Sequence, residues 1–351
     1  MPHSIAVLPP RHRSHPALHE IRATAQRLSN KVLRTPVWRW EGGALGDLLD
    51  DGAEVWLNLE LFQKTGTFKV RGAINSIDAL STQARQRGVV AVSAGNHAIA
   101  VAYAAMSYGV PAKVVMPAHA SSVCIAACRG FGADVILMPD IHAAFEHGAW
   151  IEAGEERTMV HPYDGPLIAQ GTATVGLKLL EQVPELDAVL VPVGGGGLVG
   201  GITAAVKQMR PACAVYGVEP VGADAMYRSF RAGRPARLEQ VTSIAGSLCA
   251  PYALDYSYGV CRQFVDEIVR VTDDEICRAM YWLYRDMKLV AEPAAAAATA
   301  ALLGPLRHTL REKRVAVLVC GSNIEPVRFA ELVGRGQAFD DAQSLEGRTV
   351  R

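Results

Sequence analysis

The sequence predicts an α/β fold with mainly parallel sheets, and three observations carry that expectation. Short apolar runs such as "VVAV", "AKVVMP" and "AVLVPV" lack the alternation of a half-solvated strand and read as strands buried on both faces. Helical patterns of about a dozen residues separate them, the rhythm of βαβ units. One strand runs through the glycines of "VLVPVGGGGLVGGI", residues 189–202, into a helix, an arrangement that aims backbone N–H groups at an anion.

Each element follows from local pattern. Residues 17–30 read as a helix and "RTPVWRW" as an extended segment. From about residue 88 strands and helices alternate: "VVAVSAG", "NHAIAVAYAAMSYG", "AKVVMP", "SSVCIAACRGFG", "ADVILMP", "DIHAAFEHGAWIEAGE" and "TMVHP". A second series runs from the helix "GTATVGLKLLEQV" through "AVLVPV", the glycine loop and the helix "LVGGITAAVKQM" to the strand "AVYGVEP". Thr272 and Glu275 form a capping-box pair before an amphipathic helix carrying Ile276, Met280, Leu283 and Met287, which Pro293 is expected to interrupt. An Ala-rich helix then closes at Gly304 before the strand "VAVLVCGSN". Two series, the first short, imply a small domain of residues 82–157 set within a larger one of residues 17–81 and 158–332, with tails at 1–16 and 333–351.

Composition narrows the partner. Lys plus Arg, 35, equal Asp plus Glu, 35, so no basic field points to nucleic acid or an anionic membrane. No apolar run reaches the roughly 18 residues of a membrane span, and "MPHSIAVLPPRHRSHP" lacks the regions of a secretory signal. A cytoplasmic protein with a small-molecule partner is expected, its first residues a loose tail. The seven cysteines form no CxxC pair and follow no zinc spacing, which reads as reduced packing residues.

The glycine loop leaves two ligands open. Gly195, Gly197 and Gly200 satisfy G-x-G-x-x-G after a strand, and Glu219 ends the next strand, as a dinucleotide-binding oxidoreductase requires. No Gly-Lys-Ser/Thr follows, which excludes a Walker loop. The other ligand is a cofactor with a single phosphate monoester.

In "NLELFQKTGTFKVRGAINSI", Thr65 or Thr67 is placed to cap a helix beginning near Phe68, with Lys69 in its first turn. A helix N-terminus is electrostatically poor for a cation. Lysine at such a place suits an amine that must lose its proton to form an imine, while a lysine whose head reaches water remains the alternative. The loop "SAGNHA" adds a second anion site. Strand alternation puts Ser93 and Ala94 on opposite faces, Gly95 allows close backbone approach and Asn96 opens a helix suited to a substrate carboxylate. His97 is either an acid-base group or a satisfied structural histidine.

"ELFQKTGTFKVRGA", "SAGNHA", "VPVGGGGLVGG", "MKLVAEPAA" and "CGSN" occur in the order found in the pyridoxal-phosphate enzymes of fold type II. The chain resembles a serine/threonine dehydratase (threonine ammonia-lyase) from about residue 20 to residue 330. The resemblance implies a tryptophan synthase β-like fold of two three-layer α/β/α domains, usually dimeric. It implies Lys69 as the Schiff-base lysine and general base, Phe68 against the cofactor ring, Asn96 on the ring hydroxyl, and Gly194, Gly195, Gly196 and Gly197 on the 5′-phosphate. Cys320 takes the position facing the pyridine nitrogen, where Ser is common; a neutral thiol leaves the ring a weaker electron sink. Thr65, Ser93, Ala94, Gly95 and His97 would hold the substrate carboxylate. The implied reaction is β-elimination from a β-hydroxy amino acid such as threonine or serine, assisted by a proton from the cofactor phosphate and giving a 2-oxo acid and ammonia.

Departures from the family pattern qualify the substrate. Racemases of the family carry a serine base where this chain has Ala94, which favours lyase over serine racemase chemistry. Gly171-Thr172-Ala173-Thr174 stands where "G-Q-G-T" is usual, Lys178 where Glu is, and Gly246 where Asp is. Since these lie near the mouth of the site, phenylserine, 3-hydroxyaspartate or a hydroxyectoine-related compound are alternative substrates. Some members bind a monovalent or divalent cation, for which Glu219 matches one acidic ligand while the second falls on Ala225, beside Asp224. The sequence after residue 330 is too short for a feedback domain, which implies a catabolic or unregulated enzyme.

Overall fold

Strands that are apolar along their whole length pair into two sheets. The computed structural model describes residues 15–41, 49 and 52–349, with side chains to residue 343; most of the expected N-terminal tail lies outside the described residues. The first sheet has six strands in the order β1 (Val37–Arg39), β2 (Glu54–Asn58), β10 (Arg314–Leu318), β7 (Ala188–Pro192), β8 (Ala214–Pro220) and β9 (Glu267–Val271). Only β1 runs antiparallel. The second sheet is parallel throughout, in the order β5 (Asp134–Met138), β4 (Ala112–Pro117), β3 (Val89–Val92) and β6 (Thr158–Met159). The α/β class with mainly parallel sheets is the one the sequence predicts.

Each sheet has its own core. β7 is buried at all five positions and carries Val189, Leu190 and Val191 into the larger cluster, whereas Val89, Ala91, Val114 and Met116 centre the smaller one. Helix Pro293–Leu303 is buried at every residue and packs on β7, β8, β9 and β10. Its run of alanines fits that place, because a helix covered all round needs small apolar side chains on every face.

Four local expectations change. The helix expected from Gly171 starts at Pro166, after Gly165 at φ +102°; proline is pre-set for a first helical position and takes the first turn. Helix Asp273–Met287 keeps its Thr272–Glu275 capping box but ends at Lys288, which is left-handed at φ +58°, so Pro293 opens the next helix instead of breaking this one. Neither Thr65 nor Thr67 caps helix Lys69–Asp78, whose N-cap is Phe68. Residues 333–349, expected as a tail, continue helix Pro326–Thr349, whose Asp340 accepts from Arg278 Nε at 2.6 Å and Trp282 Nε1 at 3.0 Å. Among the described residues no helix is long and apolar enough to cross a membrane.

Candidate active site

Parallel strands side by side bring their carboxyl-end loops together, and ligands of such sheets bind there. β2, β10, β7 and β8 are consecutive neighbours, so the segment leading to Lys69, the Cys320–Asn323 turn, the glycine loop and Glu219 converge on one edge. In the second sheet β3 and β6 are neighbours, which sets Ser93–His97 beside residues 160–164.

Lys69 opens its helix and is half-buried. Its Nζ donates to the Pro162 carbonyl at 2.6 Å and lies 5.2 Å from the centroid of the Phe68 ring. Burial pulls its ammonium down to about 8, against the opposing pull of Cys320 and Glu292. A substantial share of this amine is therefore neutral near pH 7 to 8, which an exposed lysine never achieves. Phe68 is held in turn by its N–H to the Cys320 carbonyl at 3.3 Å. Cys320 is buried and its thiol is driven upward by desolvation, so it stays protonated.

The glycine loop ends at helix Gly197–Met209, with Gly196 left-handed at φ +93°. Tyr163 covers it: a Cβ on Gly195 would fall 2.1 Å from the Tyr163 ring, and one on Gly197 2.1 Å from its carbonyl oxygen. Thr172 Oγ1 donates to the Gly197 carbonyl at 2.7 Å and Thr174 Oγ1 accepts from Arg71 Nη1 at 3.2 Å. Thr172, which departs from the family pattern, and Thr174, which keeps it, thus tie the loop through helix Pro166–Gln182 to the helix that carries Lys69. Lys178 pairs with Glu181 on the half-exposed side of helix Pro166–Gln182, and Gly246 faces open space.

Asn96 opens helix Asn96–Tyr108 with Gly95 as its N-cap. Its Nδ2 donates to Glu292 at 2.8 and 3.0 Å and to Ser247 Oγ at 3.1 Å, and its Oδ1 accepts from Asn323 Nδ2 at 2.7 Å. Ser93 Oγ accepts from the Gly95 N–H at 3.2 Å, while Ala94 is exposed. Gly95 has room for a Cβ, its nearest neighbour being Cys124 Sγ at 3.9 Å. Thr65 is left-handed at φ +66°, and the buried hydroxyls of Thr65 and Thr67 have no hydrogen-bond partner. A buried donor left unpaired is costly, and beside a helix N-terminus it is suited to an anionic ligand.

His97 and His161 are held neutral. His97 Nε2 donates to the Val160 carbonyl at 2.7 Å, and burial with the neighbouring Lys69 charge lowers it to about 3. His161 Nδ1 accepts from the Asp164 N–H at 2.9 Å, and burial lowers it to about 4. Of the two readings of His97, the satisfied structural one matches this geometry. Glu219 is buried and accepts from the Met226 and Tyr227 N–H groups at 2.9 and 2.7 Å, while Asp224 accepts from Arg228 and Arg270. That is a helix cap beside an ion pair, with both Glu219 oxygens engaged, rather than an open cation site. Among the described residues no cluster of three His, Cys, Asp or Glu is placed to hold a metal.

Glu292, Ser247, Asn323 and the strap His161-Pro162-Tyr163 were not singled out from sequence, although "MKLVAEPAA", "CGSN" and "TMVHP" contain most of them. Taken together, the donor set fits pyridoxal phosphate: an amine that loses its proton readily, an aromatic ring beside it, and four glycines at a helix N-terminus for one phosphate. The model of the pyridoxal-phosphate dependent enzymes matches residues 28–321. The chain belongs to that family. Relatives of this pyridoxal-phosphate enzyme include the phenylserine dehydratase of Ralstonia pickettii, 48% identical over 325 residues, 92% of this chain and 97% of that protein. The L-threonine ammonia-lyase of Thermotoga maritima is 38% identical over 322 residues, 91% of this chain and 78% of that protein. The solved structure of maize serine racemase superposes with a TM-score of 0.84 at 31% identity, covering 95% of this chain and 99% of that one. The dinucleotide reading of the glycine loop is set aside on the same match.

Proposed function

We propose that this pyridoxal-phosphate enzyme eliminates water from a β-hydroxy amino acid, releasing a 2-oxo acid and ammonia, and that its substrate carries an aryl group at Cβ. The observation that carries the reaction class is Lys69: a half-buried amine at a helix N-terminus whose pKa is lowered to about 8, in a place where a structural lysine gains nothing. Bound pyridoxal phosphate supplies the electron sink for charge developing at the substrate Cα. Lys69 would hold the cofactor aldehyde and, as a free amine beside the substrate Cα, would take the α-proton as general base. The unpaired N–H groups opening helix Asn96–Tyr108, with the Thr65 hydroxyl, bind and orient the carboxylate. Cys320 keeps its proton on sulfur; facing the pyridine nitrogen, as the resemblance implies, it would offer a neutral thiol in place of a carboxylate, which suits elimination over transamination. Tyr163 packs on the glycine loop.

The likeness to phenylserine dehydratase supports the aryl group. Racemisation is the second reading, supported by the likeness to maize serine racemase; the methyl of Ala94 holds no proton for the opposite face. We also propose a cytoplasmic enzyme, which the lack of a secretory pattern in the sequence supports, and a homodimer, as is usual for the fold type it resembles, with residues 82–157 as the small substrate-binding domain. The test is a panel of phenylserine, threonine, serine, 3-hydroxyaspartate and hydroxyectoine, assayed for equal yields of ammonia and 2-oxo acid. Phenylserine is expected to have the highest kcat/KM. No product from any of the five overturns the reading.

A further inference from the structure

Glu292 is a buried carboxyl to which the proposed reaction gives no task. It is 4% exposed. Both its oxygens accept from Asn96 Nδ2, at 2.8 and 3.0 Å, and the Ser247 hydroxyl and the Asn323 backbone N–H also donate to it. A Cβ on Gly321 would fall 3.0 Å from its Cδ and Oε1, so the backbone after Cys320 approaches the carboxyl closely and a side chain there would crowd it. The titratable groups that feel its charge are Lys69 from helix Lys69–Asp78, Cys320 from the turn after β10 and Cys124 from helix Ser122–Gly130. Lys69 is the one cation among these.

Burying a carboxylate is unfavourable unless donors and a counter-charge meet it. Here three residues donate and Lys69 adds a weaker attraction without an ion pair, while burial still pushes the Glu292 carboxyl above its ordinary value. The contact also fixes Asn96: its amide nitrogen faces Glu292 and Ser247, its oxygen faces Asn323, and a flipped amide would point oxygen at carboxylate.

We propose that Glu292 is a positioning residue acting through Asn96: its carboxyl group, held by Asn96, Ser247 and Asn323, dictates which way the Asn96 amide faces, and its charge acts from beyond contact distance on the nitrogen of Lys69. The proposal rests on the cofactor linkage at Lys69. Removing the charge lets that nitrogen lose its proton at lower pH; keeping the charge on a shorter side chain does not.

The test titrates the visible absorbance of the loaded, full-length enzyme against pH, beside cofactor content and thermal melts. Glu292→Gln is expected to lower the alkaline midpoint of the visible band by about one pH unit or more. Glu292→Asp is expected to stay within about half a unit of native. A folded, loaded Glu292→Gln enzyme with the native midpoint overturns the proposal. Should Glu292→Gln not fold, Glu292→Asp decides alone: a midpoint close to native supports the role of charge, and a drop of a full unit overturns it. The outcomes separate from those of the lyase reading, because a native enzyme with a visible band and no ammonia release sinks elimination and leaves this titration standing.

Discussion

Arg71 grips Glu60 bidentately inside the protein, Nε to Oε2 at 2.8 Å and Nη2 to Oε1 at 2.7 Å, with both side chains almost fully buried. Thr35 Oγ1 donates to the same carboxylate at 2.5 Å, and Arg71 Nη2 also donates to the Leu33 carbonyl at 3.2 Å. Arg71 lies two residues past Lys69, so this network fixes the helix that presents the amine. Replacing Arg71 with Ala strands the Glu60 charge, and urea unfolding should show a loss of about 3–5 kcal/mol. A loss below about 1 kcal/mol would mean the pair behaves like a surface one.

Much of this arrangement is legible in the sequence, for physical reasons that differ by residue. Strand β4 and the start of helix Asn96–Tyr108 are found at their expected positions, because continuous apolar runs and a Gly-Asn boundary are local signals. Lys69 is legible because a cation at a helix N-terminus contradicts local electrostatics. Glu292 is not legible: its burial depends on Asn96, nearly two hundred residues earlier in the chain, and on Gly321 leaving space, and neither relationship has a local pattern. The strap of residues 160–164 is hidden likewise. "TMVHP" reads as a strand, yet only Thr158 and Met159 pair, and Val160 and Pro162 turn their carbonyls to His97 and Lys69.

Acid should destabilise the protein through His97 and His161. In the unfolded chain both take up protons from about pH 6.5, whereas in the fold His161 waits until about 4 and His97 until about 3. The unfolded state therefore binds more protons in that window, and stability falls as pH drops from 6.5 toward 4. Melting temperatures at several pH values, compared between native protein and His161→Gln, test this: the variant should lose less on acidification. Equal slopes for both proteins would rule out His161 as a contributor.

Lys69 gives the opposite limb in cofactor-free protein. Its folded value of about 8 lies below the 10.5 of an unperturbed lysine, so the unfolded chain binds the extra proton between them and stability rises with pH across that range. Lys69→Met should flatten this rise. A rise of unchanged size in the variant would show that other groups cause it.

Ala94→Ser places a hydroxyl on the exposed loop beside Asn96. If the missing second base is what keeps the chemistry to one face, the variant should form D-isomer and incorporate solvent deuterium at Cα of unreacted substrate. Chiral chromatography with mass spectrometry reads both, and a variant as one-sided as native enzyme refutes the Ala94 argument.

Glu219 is engaged by two backbone donors, and Asp224 beside it by Arg228 and Arg270. A chelator should consequently leave the melting temperature unchanged, while Glu219→Ala should cost about 1–3 kcal/mol through the helix donors it strands. Stabilisation by magnesium that Glu219→Ala abolishes would restore a cation to this place.

The most direct test concerns the nitrogen of residue 69. Enzyme saturated with pyridoxal phosphate is reduced with borohydride, digested and sequenced by mass spectrometry. The expected result is one pyridoxyl group per chain, carried by Lys69. An unmodified Lys69 in fully loaded protein, or the label on another lysine, contradicts the site.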